Sequence, residues 1–398
     1  MSLLLNIEKR NAVLKRMAIL IQEQAVNLIT ANTEDLNAYD GGDLAMADRL
    51  KVDEAKISGM IQSLEELASQ PDPIGVERYA FTHENQMQVS NRTAPFGTVM
   101  IIYESRPDVT IEAAGIAFKS GNKILLKGGK ESLRSNLVLV ELWHQALEEN
   151  ECSKNWVTYL NYSRQETQDF LGNPDQKIDL IVPRGGERLI QFVKAHANCP
   201  VIVSGRGNNF LYVAKTADTQ MATDIIVNAK IAKISACNAL DKVLIDKELP
   251  NKEAFVSELI NTLKDQQVAI YSDKAISQHG DTEVITDENI WEEEFLDYKI
   301  VLGETSGLED SIERINIHSG GHSATIITSD QEEASLFMES VDSAAVYHNA
   351  STRFTDGGQF GLAGELAIST DKLHQRGPLG LTHLVTNKWY IKGNGQTR

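Results

Sequence analysis

The alternation of short apolar segments with segments of helical spacing after Pro95 limits the fold more than any other feature. Residues 95–103 and 123–126 are predominantly apolar and indicate buried strands, and residues 109–118 and 133–147 have the spacing of helices. Strands and helices in this order form parallel sheets through right-handed crossovers. The sequence therefore predicts an α/β protein with a doubly wound sheet.

A second α/β region is predicted after residue 237, and other segments flank the two regions. The strands predicted there are residues 243–245, 267–271, 299–302, 324–328 and 344–348. Near the N-terminus, residues 8–29 carry apolar side chains at steps of three and four, which predicts one amphipathic helix. The polar residues 78–94 predict a hairpin, and residues 388–392 predict a strand that pairs with this hairpin or with another subunit.

Length and charge narrow the class of protein. A chain of 398 residues is long enough for two or three domains. Its 38 basic and 56 acidic residues give a net charge of −18, which disfavours nucleic acid as a partner because phosphate binding needs clustered Lys and Arg. No apolar run approaches the ~20 residues that span a bilayer, and the N-terminus lacks the pattern of a cleavable signal. We therefore expect a cytoplasmic protein that does not bind a membrane.

The cysteines and histidines argue against disulfides and metal. Cys152, Cys199 and Cys237 are odd in number and widely spaced, unlike a disulfide framework or a metal cluster. The nine histidines are scattered, and the sequence contains neither His-Glu-x-x-His nor Cys-x-x-Cys. We predict no metal site, and a reducing compartment in which a thiol survives.

Cys237 lies where a helical segment ending near Lys233 gives way to the predicted strand 243–245. Peptide dipoles and cations at such a junction lower the pKa of a thiol, and the thiolate is the form that attacks a carbonyl carbon. The alternative is a small buried apolar side chain, which is what a lone cysteine usually is. Cys237 is therefore a candidate nucleophile.

Two glycine-containing turns and one glycine-rich loop are candidate ligand sites. The turns, residues 127–132 and 183–187, each follow a predicted strand and precede a helix, where parallel sheets bind anionic ligands. Neither contains G-x-G-x-x-G, so tight turns that need a positive φ are an equal alternative. The polar loop at 349–362 suits a substrate, and its alternative is a structural Ω-loop.

Several longer motifs, in the same order, point to one family. They are Ile-Tyr-Glu-Ser-Arg-Pro-Asp-Val-Thr at 102–110, Lys-Gly-Gly-Lys-Glu at 127–131, Ile-Val-Pro-Arg-Gly-Gly at 181–186, Val-Tyr-His-Asn-Ala-Ser-Thr-Arg-Phe-Thr-Asp-Gly at 346–357 and Lys-Leu-His-Gln-Arg-Gly-Pro at 372–378. Over nearly its whole length the sequence resembles the gamma-glutamyl phosphate reductase family of the aldehyde dehydrogenase superfamily. The resemblance implies an aldehyde dehydrogenase-like fold and the reduction of an acyl phosphate at a cysteine.

The resemblance also implies three domains and a defined reaction. The cofactor-binding domain is expected at residues 1–77 and 95–227, the catalytic domain at 228–370, and a hairpin with a C-terminal oligomerisation segment at 78–94 and 371–398. The implied reaction, in proline biosynthesis, is the NADPH-dependent reduction of L-glutamyl 5-phosphate to L-glutamate 5-semialdehyde with release of phosphate. A homo-oligomer and a transient contact with glutamate kinase are expected as well.

The same resemblance assigns roles to residues. Cys237 is the nucleophile, and Arg106 falls where the superfamily keeps a group that faces the oxyanion, although its fork also suits the phosphate. The expected substrate-binding residues are Asn238, Asn349, Thr352 and Arg353. The expected cofactor-binding residues are Lys127, Gly128, Gly129, Pro183, Gly185, Gly186, Glu294 and Phe295. Lys127 and Lys130 together suit a 2′-phosphate and therefore NADP.

Relatives that hydrolyse their thioester resemble one another in a Glu upstream of the cysteine. This sequence has Val-Ser-Gly-Arg-Gly at 203–207 instead, which favours reduction. It departs from the family pattern at Lys233 with Ile234, at Ala324, and in a shortened segment at 297–299; Lys233 keeps a charge but lacks the planar fork of Arg. The departures leave two alternatives: a non-catalytic paralogue, or an aldehyde dehydrogenase-like enzyme acting on another acyl phosphate.

Overall fold

The computed structural model describes residues 4–42, 44–362, 364–373 and 375–398. His374, which belongs to the motif at 372–378, lies outside the described residues. The chain divides into two compact units. Unit 1 comprises Met1–Val203, Gly361–Ala367 and Leu379–Arg398, and unit 2 comprises Ser204–Phe360 and Ile368–Pro378.

Helices and strands are numbered along the described chain. The helices are α1 Ile7–Glu23, α2 Ala25–Ala38, α3 Leu44–Leu50, α4 Glu54–Ser69, α5 Val109–Lys119, α6 Leu133–Glu149, α7 Arg164–Gly172, α8 Glu187–His196, α9 Thr219–Ile231, α10 Lys252–Asp265, α11 Leu308–His318 and α12 Gln331–Ser340. The strands are β1 Glu77–Thr82, β2 Gln88–Pro95, β3 Thr98–Tyr103, β4 Lys123–Lys127, β5 Val157–Tyr159, β6 Leu180–Arg184, β7 Asn209–Val213, β8 Leu240–Asp246, β9 Ala269–Ser272, β10 Glu283–Val284, β11 Lys299–Thr305, β12 Ser323–Ile327, β13 Ala345–His348, β14 Ala367–Ser369, β15 Gly377–Leu379 and β16 Val385–Lys392. Within the described residues, no helix combines the length and the apolar character needed to cross a bilayer.

Unit 1 contains a four-stranded parallel sheet in the order β5-β4-β3-β6. Val99, Ile101 and Leu126 of its central strands are buried in one core with Phe118 of α5 and Trp143 of α6. From β3 the chain moves outward through β4 and β5, and it then returns to β6 on the other side of β3. The predicted doubly wound sheet is confirmed, and the loops after β3 and β6 lie at its switch point, where such sheets bind ligands.

The single helix predicted at residues 8–29 is wrong, because the chain forms α1 and α2 with a break at Gln24. There the backbone leaves helical geometry, with φ −106° and ψ 15°. The buried polar residues of α2 then meet α6: Asn32 Nδ2 donates to Ser135 Oγ at 3.1 Å, and Asp35 Oδ2 accepts from Ser135 N at 2.8 Å. The apolar spacing continues through the break and does not reveal it.

Unit 2 is built on a seven-stranded parallel sheet in the order β10-β9-β11-β8-β7-β12-β13. Both faces are apolar, with Leu211 and Val243 in one core and Phe210 and Leu244 in another, as expected for a parallel sheet covered on both sides. Residues 204–227, assigned above to the cofactor domain, lie in unit 2 because β7 pairs with both β8 and β12.

A separate antiparallel sheet joins β1, β2 and β16 in unit 1. The hairpin and its pairing with the C-terminal strand are thus present. Tyr79, Phe81 and Trp389 are 56%, 41% and 50% exposed, and the Tyr79 ring lies 5.6 Å from Phe81 and 6.2 Å from Trp389 between centroids. A cluster of exposed aromatic rings of this kind is typical of an interaction surface.

Candidate active site

Two of the sequence motifs meet at the switch point of the unit 1 sheet. Glu104 follows β3, and Gly186 follows β6, the neighbouring strand. Glu104 N donates to Arg184 O at 3.2 Å, and Gly186 N donates to Glu104 Oε2 at 2.9 Å. The loops of the motifs at 102–110 and 181–186 are therefore in direct contact, and Pro183 is buried within β6 beside them.

The N-terminus of α8 opens onto these loops. Its N-cap is Gly186, so the first-turn N–H groups of α8 have no side-chain cap. A Cβ at 186 would lie 4.0 Å from Glu104 Oε2, its nearest neighbour, whereas a Cβ at Gly185 would lie 2.6 Å from the same atom. Uncapped backbone N–H groups at a helix N-terminus bind phosphate, and Gly186 leaves room for a ligand to approach them.

The loop after β4 supplies a cation and a second close-packed glycine. Lys127 Nζ donates to Gly128 O at 2.6 Å, and burial lowers the pKa of this ammonium group. A Cβ at Gly128 would lie 2.2 Å from Asn136 Nδ2, and one at Gly129 would lie 3.2 Å from Ser105 N. None of the glycines in the two turns has a positive φ. Close approach of neighbouring groups, rather than a left-handed backbone, explains Gly128, Gly129 and Gly185.

Arg106 and Asp108 form an ion pair after β3, with 2.8 Å between Nη2 and Oδ2. The Arg106 side chain is 42% exposed, so part of the guanidinium faces solvent. Ser105 Oγ and Asp108 Oδ1 are buried and have no hydrogen-bond partner among the described residues. Burial, and then the Asp108 carboxylate, raises the pKa of Glu112 to about 7. Unsatisfied polar atoms beside an available guanidinium are typical of a ligand site.

In unit 2, Cys237 lies in the turn between α9 and β8, at the amino edge of the seven-stranded sheet. Ala239 N donates to Ala236 O at 2.9 Å within this turn. Cys237 is partly buried, which is the exposure of a thiol that a substrate can reach. Burial raises the pKa of Cys152 and of Cys199, so these two thiols are poorer nucleophiles than ordinary ones.

The segment before β7 packs directly against the backbone of Cys237. A Cβ at Gly207 would lie 2.1 Å from Cys237 O and 2.7 Å from Cys237 Cα. The buried Asn209 donates through Nδ2 to Cys237 O at 2.7 Å and to Ala239 O at 2.6 Å. The segment 203–207 therefore reaches the cysteine turn and has no room for a side chain at 207.

The cysteine turn is also tied to the glycine-rich loop that follows β13. Asn238 Nδ2 donates to Thr355 O at 2.9 Å and to Arg353 O at 3.2 Å. Thr352, which is fully buried, donates through Oγ1 to Asn238 O at 2.8 Å. Asn238 Oδ1 is buried and has no hydrogen-bond partner among the described residues. Asn238 thus holds the loop and keeps one acceptor unsatisfied, whereas the Thr352 hydroxyl is committed to the backbone.

Asn349 and Arg353, the other two predicted substrate residues, also differ in whether their polar atoms are hydrogen-bonded. Asn349 has a left-handed φ of 52°, and both of its amide atoms bond Thr328: Oδ1 accepts from Thr328 N at 3.0 Å, and Nδ2 donates to Thr328 O at 2.9 Å. Arg353 Nη1 is buried without a hydrogen-bond partner in the described part of the chain. Arg353 is therefore the predicted substrate residue that keeps an unsatisfied charged donor.

A chain of hydroxyl groups runs behind this loop from His322. The distances are 2.8 Å from His322 Nδ1 to Ser323 Oγ, 2.7 Å from Ser323 Oγ to Thr355 Oγ1, and 2.7 Å from Thr355 Oγ1 to the Tyr347 hydroxyl. His322 is fully buried, and burial lowers its pKa to about 4. The ring is therefore neutral at pH 7, and it supports the loop without adding charge.

Glu294 and Phe295, predicted to bind the cofactor, lie in unit 2 before β11. Phe295 N donates to Asp241 Oδ2 at 3.0 Å, and Lys242 Nζ lies 3.8 Å from the centroid of the Phe295 ring. Leu296 follows with a left-handed φ of 49°, which is rare for a residue with a side chain. The left-handed residue thus lies directly before the segment 297–299, which is expected to be shorter than in the family.

Comparisons with known proteins agree with this architecture. A model of the aldehyde dehydrogenase family matches residues 4–278. Gamma-glutamyl phosphate reductase of Enterococcus faecalis is 39% identical over 99% of this chain and 95% of its own length. The chain belongs to the gamma-glutamyl phosphate reductase family. The enzyme of that name from Clostridium perfringens is 40% identical over 98% of this chain and 94% of its own. The crystal structure of gamma-glutamyl phosphate reductase from Thermotoga maritima has a TM-score of 0.95 at 34% identity and covers 99% of this chain and 95% of that one.

These matches confirm the family and the aldehyde dehydrogenase-like α/β fold expected from the motifs. Sequence reasoning nevertheless missed the side chains that hold the cysteine turn and the segments around it. Asn209 bonds the turn itself, Asn208 bonds Trp291 O, and Ser323 and Tyr347 bond Thr355 in the loop after β13. A weak signal was present, since Asn208 and Asn209 are polar residues placed where the buried strand β7 begins.

Proposed function

We propose that this chain reduces L-glutamyl 5-phosphate to L-glutamate 5-semialdehyde, with NADPH as the reductant and release of phosphate, in proline biosynthesis. The observation that carries the proposal is the partly buried thiol of Cys237 in a turn whose carbonyl groups are held by Asn209. A nucleophile must be both accessible and held in place. Membership of a family of reductases favours this reaction over binding alone.

The carboxyl edge of the unit 1 sheet fits NADPH, which when bound supplies the hydride. The uncapped N–H groups of α8 at Gly186 suit the pyrophosphate, and Lys127 with Lys130 suits the 2′-phosphate. With the cofactor bound, Lys127 would donate to a phosphate oxygen instead of to Gly128 O. Glu104, whose carboxylate accepts from Gly186 N, would release that N–H to the phosphate.

The chemistry follows from the thiol. The Cys237 thiolate attacks the acyl carbon, the bond from carbon to the phosphate oxygen breaks, and a thioester and phosphate result. Addition of hydride to the thioester carbon gives a thiohemiacetal anion, which collapses to the aldehyde and regenerates the thiolate. Both tetrahedral stages place negative charge on the substrate oxygen. We assign the Cys237 N–H and the Arg106 guanidinium to that oxygen.

Arg353 is assigned to the substrate. A buried guanidinium N–H without a partner costs free energy, and a carboxylate or phosphate of the substrate removes that cost. Asn238 Oδ1, buried and also unsatisfied, suits the substrate ammonium group. Asn349 and Thr352 support the loop through their bonds to Thr328 and Asn238.

The segment 203–207 favours reduction over hydrolysis. Hydrolysis of the thioester needs a carboxylate that activates water, and this segment, Val-Ser-Gly-Arg-Gly, contains none. A thioester protected from water lasts until the hydride arrives.

The aromatic surface of β1 and β16 is assigned to a homo-oligomer. Tyr79, Phe81 and Trp389 are exposed side by side, and covering them with a second copy removes apolar area from water. A transient contact with glutamate kinase, which makes the short-lived acyl phosphate, would shorten the time that the substrate spends in water. We assign the reaction to the cytoplasm, as expected from the sequence.

The test is a coupled assay in which glutamate kinase and ATP generate the substrate and NADPH oxidation is followed by absorbance. We expect oxidation that depends on the kinase and that Cys237→Ala abolishes, while Cys199→Ala, the matched control on a second partly buried thiol, retains it. Oxidation that survives Cys237→Ala would refute the nucleophile. Activity with a different acyl phosphate alone would refute the substrate, and a failure to bind NADPH would favour a non-catalytic paralogue.

A further inference from the structure

Three buried charged side chains converge on the segment that carries Glu294. Lys230, Asp241 and Lys242 are 0%, 2% and 0% exposed. Lys230 Nζ is paired with Asp241 Oδ1 at 2.8 Å, and Asp241 Oδ2 accepts from Phe295 N at 3.0 Å. One carboxylate therefore bridges α9 and the segment before β11.

Lys242 completes the arrangement from the interior of β8. Its Nζ donates to Glu293 O at 2.7 Å and lies 3.8 Å from the centroid of the Phe295 ring. The amine thus contacts the residue on each side of Glu294, one through the backbone and one through the ring. Burial lowers the pKa of Lys242 to about 7, in the presence of Asp241, Lys230, Glu293 and Glu294.

The same segment is held from the other side by the residues before β7. Asn208 Nδ2 donates to Trp291 O at 2.7 Å, and Arg206 Nη1 donates to Glu292 O at 3.0 Å. These contacts hold the carbonyl groups of 291 and 292, as Lys242 holds that of 293. At Leu296 the backbone enters the left-handed region, which neighbouring contacts must maintain.

We propose that Lys242 is a positioning residue for the cofactor: it fixes Glu293 and Phe295, and thereby Glu294, the residue between them that is expected to bind the cofactor. This inference rests on the proposed function, in which NADPH is the reductant. A lysine wholly buried in a parallel strand is costly to fold, and an apolar residue would serve the core better. Its contacts with the segment around Glu294 account for its presence.

The test compares Lys242→Met with Lys119→Met. Lys119 is a second fully buried lysine, in unit 1, whose Nζ donates to Asn11 Oδ1 at 2.6 Å and Gln70 O at 2.8 Å. In the coupled assay we expect Lys242→Met to raise KM for NADPH about tenfold while KM for the acyl phosphate stays within about twofold. Lys119→Met should leave both KM values unchanged. Lys242→Gln retains a donor for Glu293 O and should fall between wild type and Lys242→Met.

A second measurement does not depend on activity. A protease that cleaves after Glu should cut the Lys242→Met variant at residues 292–294 faster than wild type, and Lys119→Met should be cut there at the wild-type rate. Wild-type KM for NADPH together with wild-type cleavage in Lys242→Met would overturn the inference, and Lys242→Gln supplies the same comparison if the Met variant does not fold. Wild-type protein that never oxidises NADPH would defeat the proposed function instead, and cleavage would still report whether Lys242 holds the segment.

Discussion

The candidate sites of the two units lie at opposite ends of their parallel strands. In unit 1 the candidate residues follow β3, β4 and β6 at the carboxyl edge, where backbone N–H groups such as those of α8 are available. In unit 2 Cys237 precedes β8, while Asn209 opens β7 and Ser323 opens β12, so the candidate nucleophile lies at the amino edge. There, buried side chains bond the turn and one another. A nucleotide binds to backbone N–H groups that have no partner within the protein. A nucleophile is kept in position by backbone groups that are already hydrogen-bonded.

The largest effect expected from this difference is on the stability of Gly207→Ala. The new Cβ would lie 2.1 Å from Cys237 O, and a backbone atom cannot rotate away as a side chain can. We expect a loss of about 4 kcal/mol in the free energy of unfolding, together with loss of activity. Denaturant unfolding of the purified variant measures it. A variant as stable as wild type would show that the cysteine turn can move to accommodate the methyl group. The backbone at the amino edge of unit 2 would then be no more tightly packed than that at the carboxyl edge of unit 1.

The second prediction concerns how the buried His322 lowers the free energy of unfolding in acid. In the folded protein its pKa is about 4, whereas in the unfolded chain it lies near the ordinary 6.5. Below about pH 6.5 His322 binds a proton in the unfolded state but not in the folded state. The stability that comes from keeping His322 neutral is therefore present above that pH and is lost as the pH falls towards 4.

The size of the acid effect follows from the difference between the folded and unfolded pKa of His322. Wild type should lose about 3 kcal/mol more than His322→Asn when unfolding free energies at pH 7 and pH 4 are compared. Asn does not titrate and still offers a polar atom to Ser323 Oγ. Equal losses in both proteins would mean that water reaches His322 and that the hydroxyl chain is looser than its distances indicate.

The third prediction sharpens the assignment of Arg353. Arg353→Lys keeps the charge but loses the fork, and we expect KM for the acyl phosphate to rise about 30-fold, equivalent to about 2 kcal/mol, with a smaller change in kcat. Arg164→Lys is the control, because that guanidinium stacks 5.3 Å from the Phe192 ring in unit 1. A fall in kcat at constant KM would instead place Arg353 on the reacting oxygen.

The sequence predicts features that depend on local order and misses those that depend on distant contacts. The alternation of strand and helix predicts both parallel sheets, and the junction at Cys237, together with the family resemblance, predicts the nucleophile. The break at Gln24 depends on contacts of α2 with α6, which lies more than 90 residues away. The role of Lys242 depends on the backbone of Glu293, 51 residues away. Helix α7 was missed although Ser163 and Glu166 form its capping box, a local signal that could have been used.

The smallest effect on stability is expected for a substitution at Gly186, which lies at the carboxyl edge of unit 1 as Gly207 lies at the amino edge of unit 2. Its φ of −70° and ψ of 171° suit alanine, and the new Cβ would come no closer than 4.0 Å to another group. Gly186→Ala should therefore lower the unfolding free energy by less than about 1 kcal/mol, the cost of a poorer N-cap.

The methyl group of Gly186→Ala would nevertheless stand at the proposed pyrophosphate site on α8. We expect KM for NADPH to rise about threefold, measured in the coupled assay beside an unchanged KM for the acyl phosphate. A large loss of stability would show that the carboxyl edge is packed as tightly as the cysteine turn. An unchanged KM would argue against a pyrophosphate at α8 and would favour the loop at 127–131, which carries Lys127 and Lys130, as the cofactor contact.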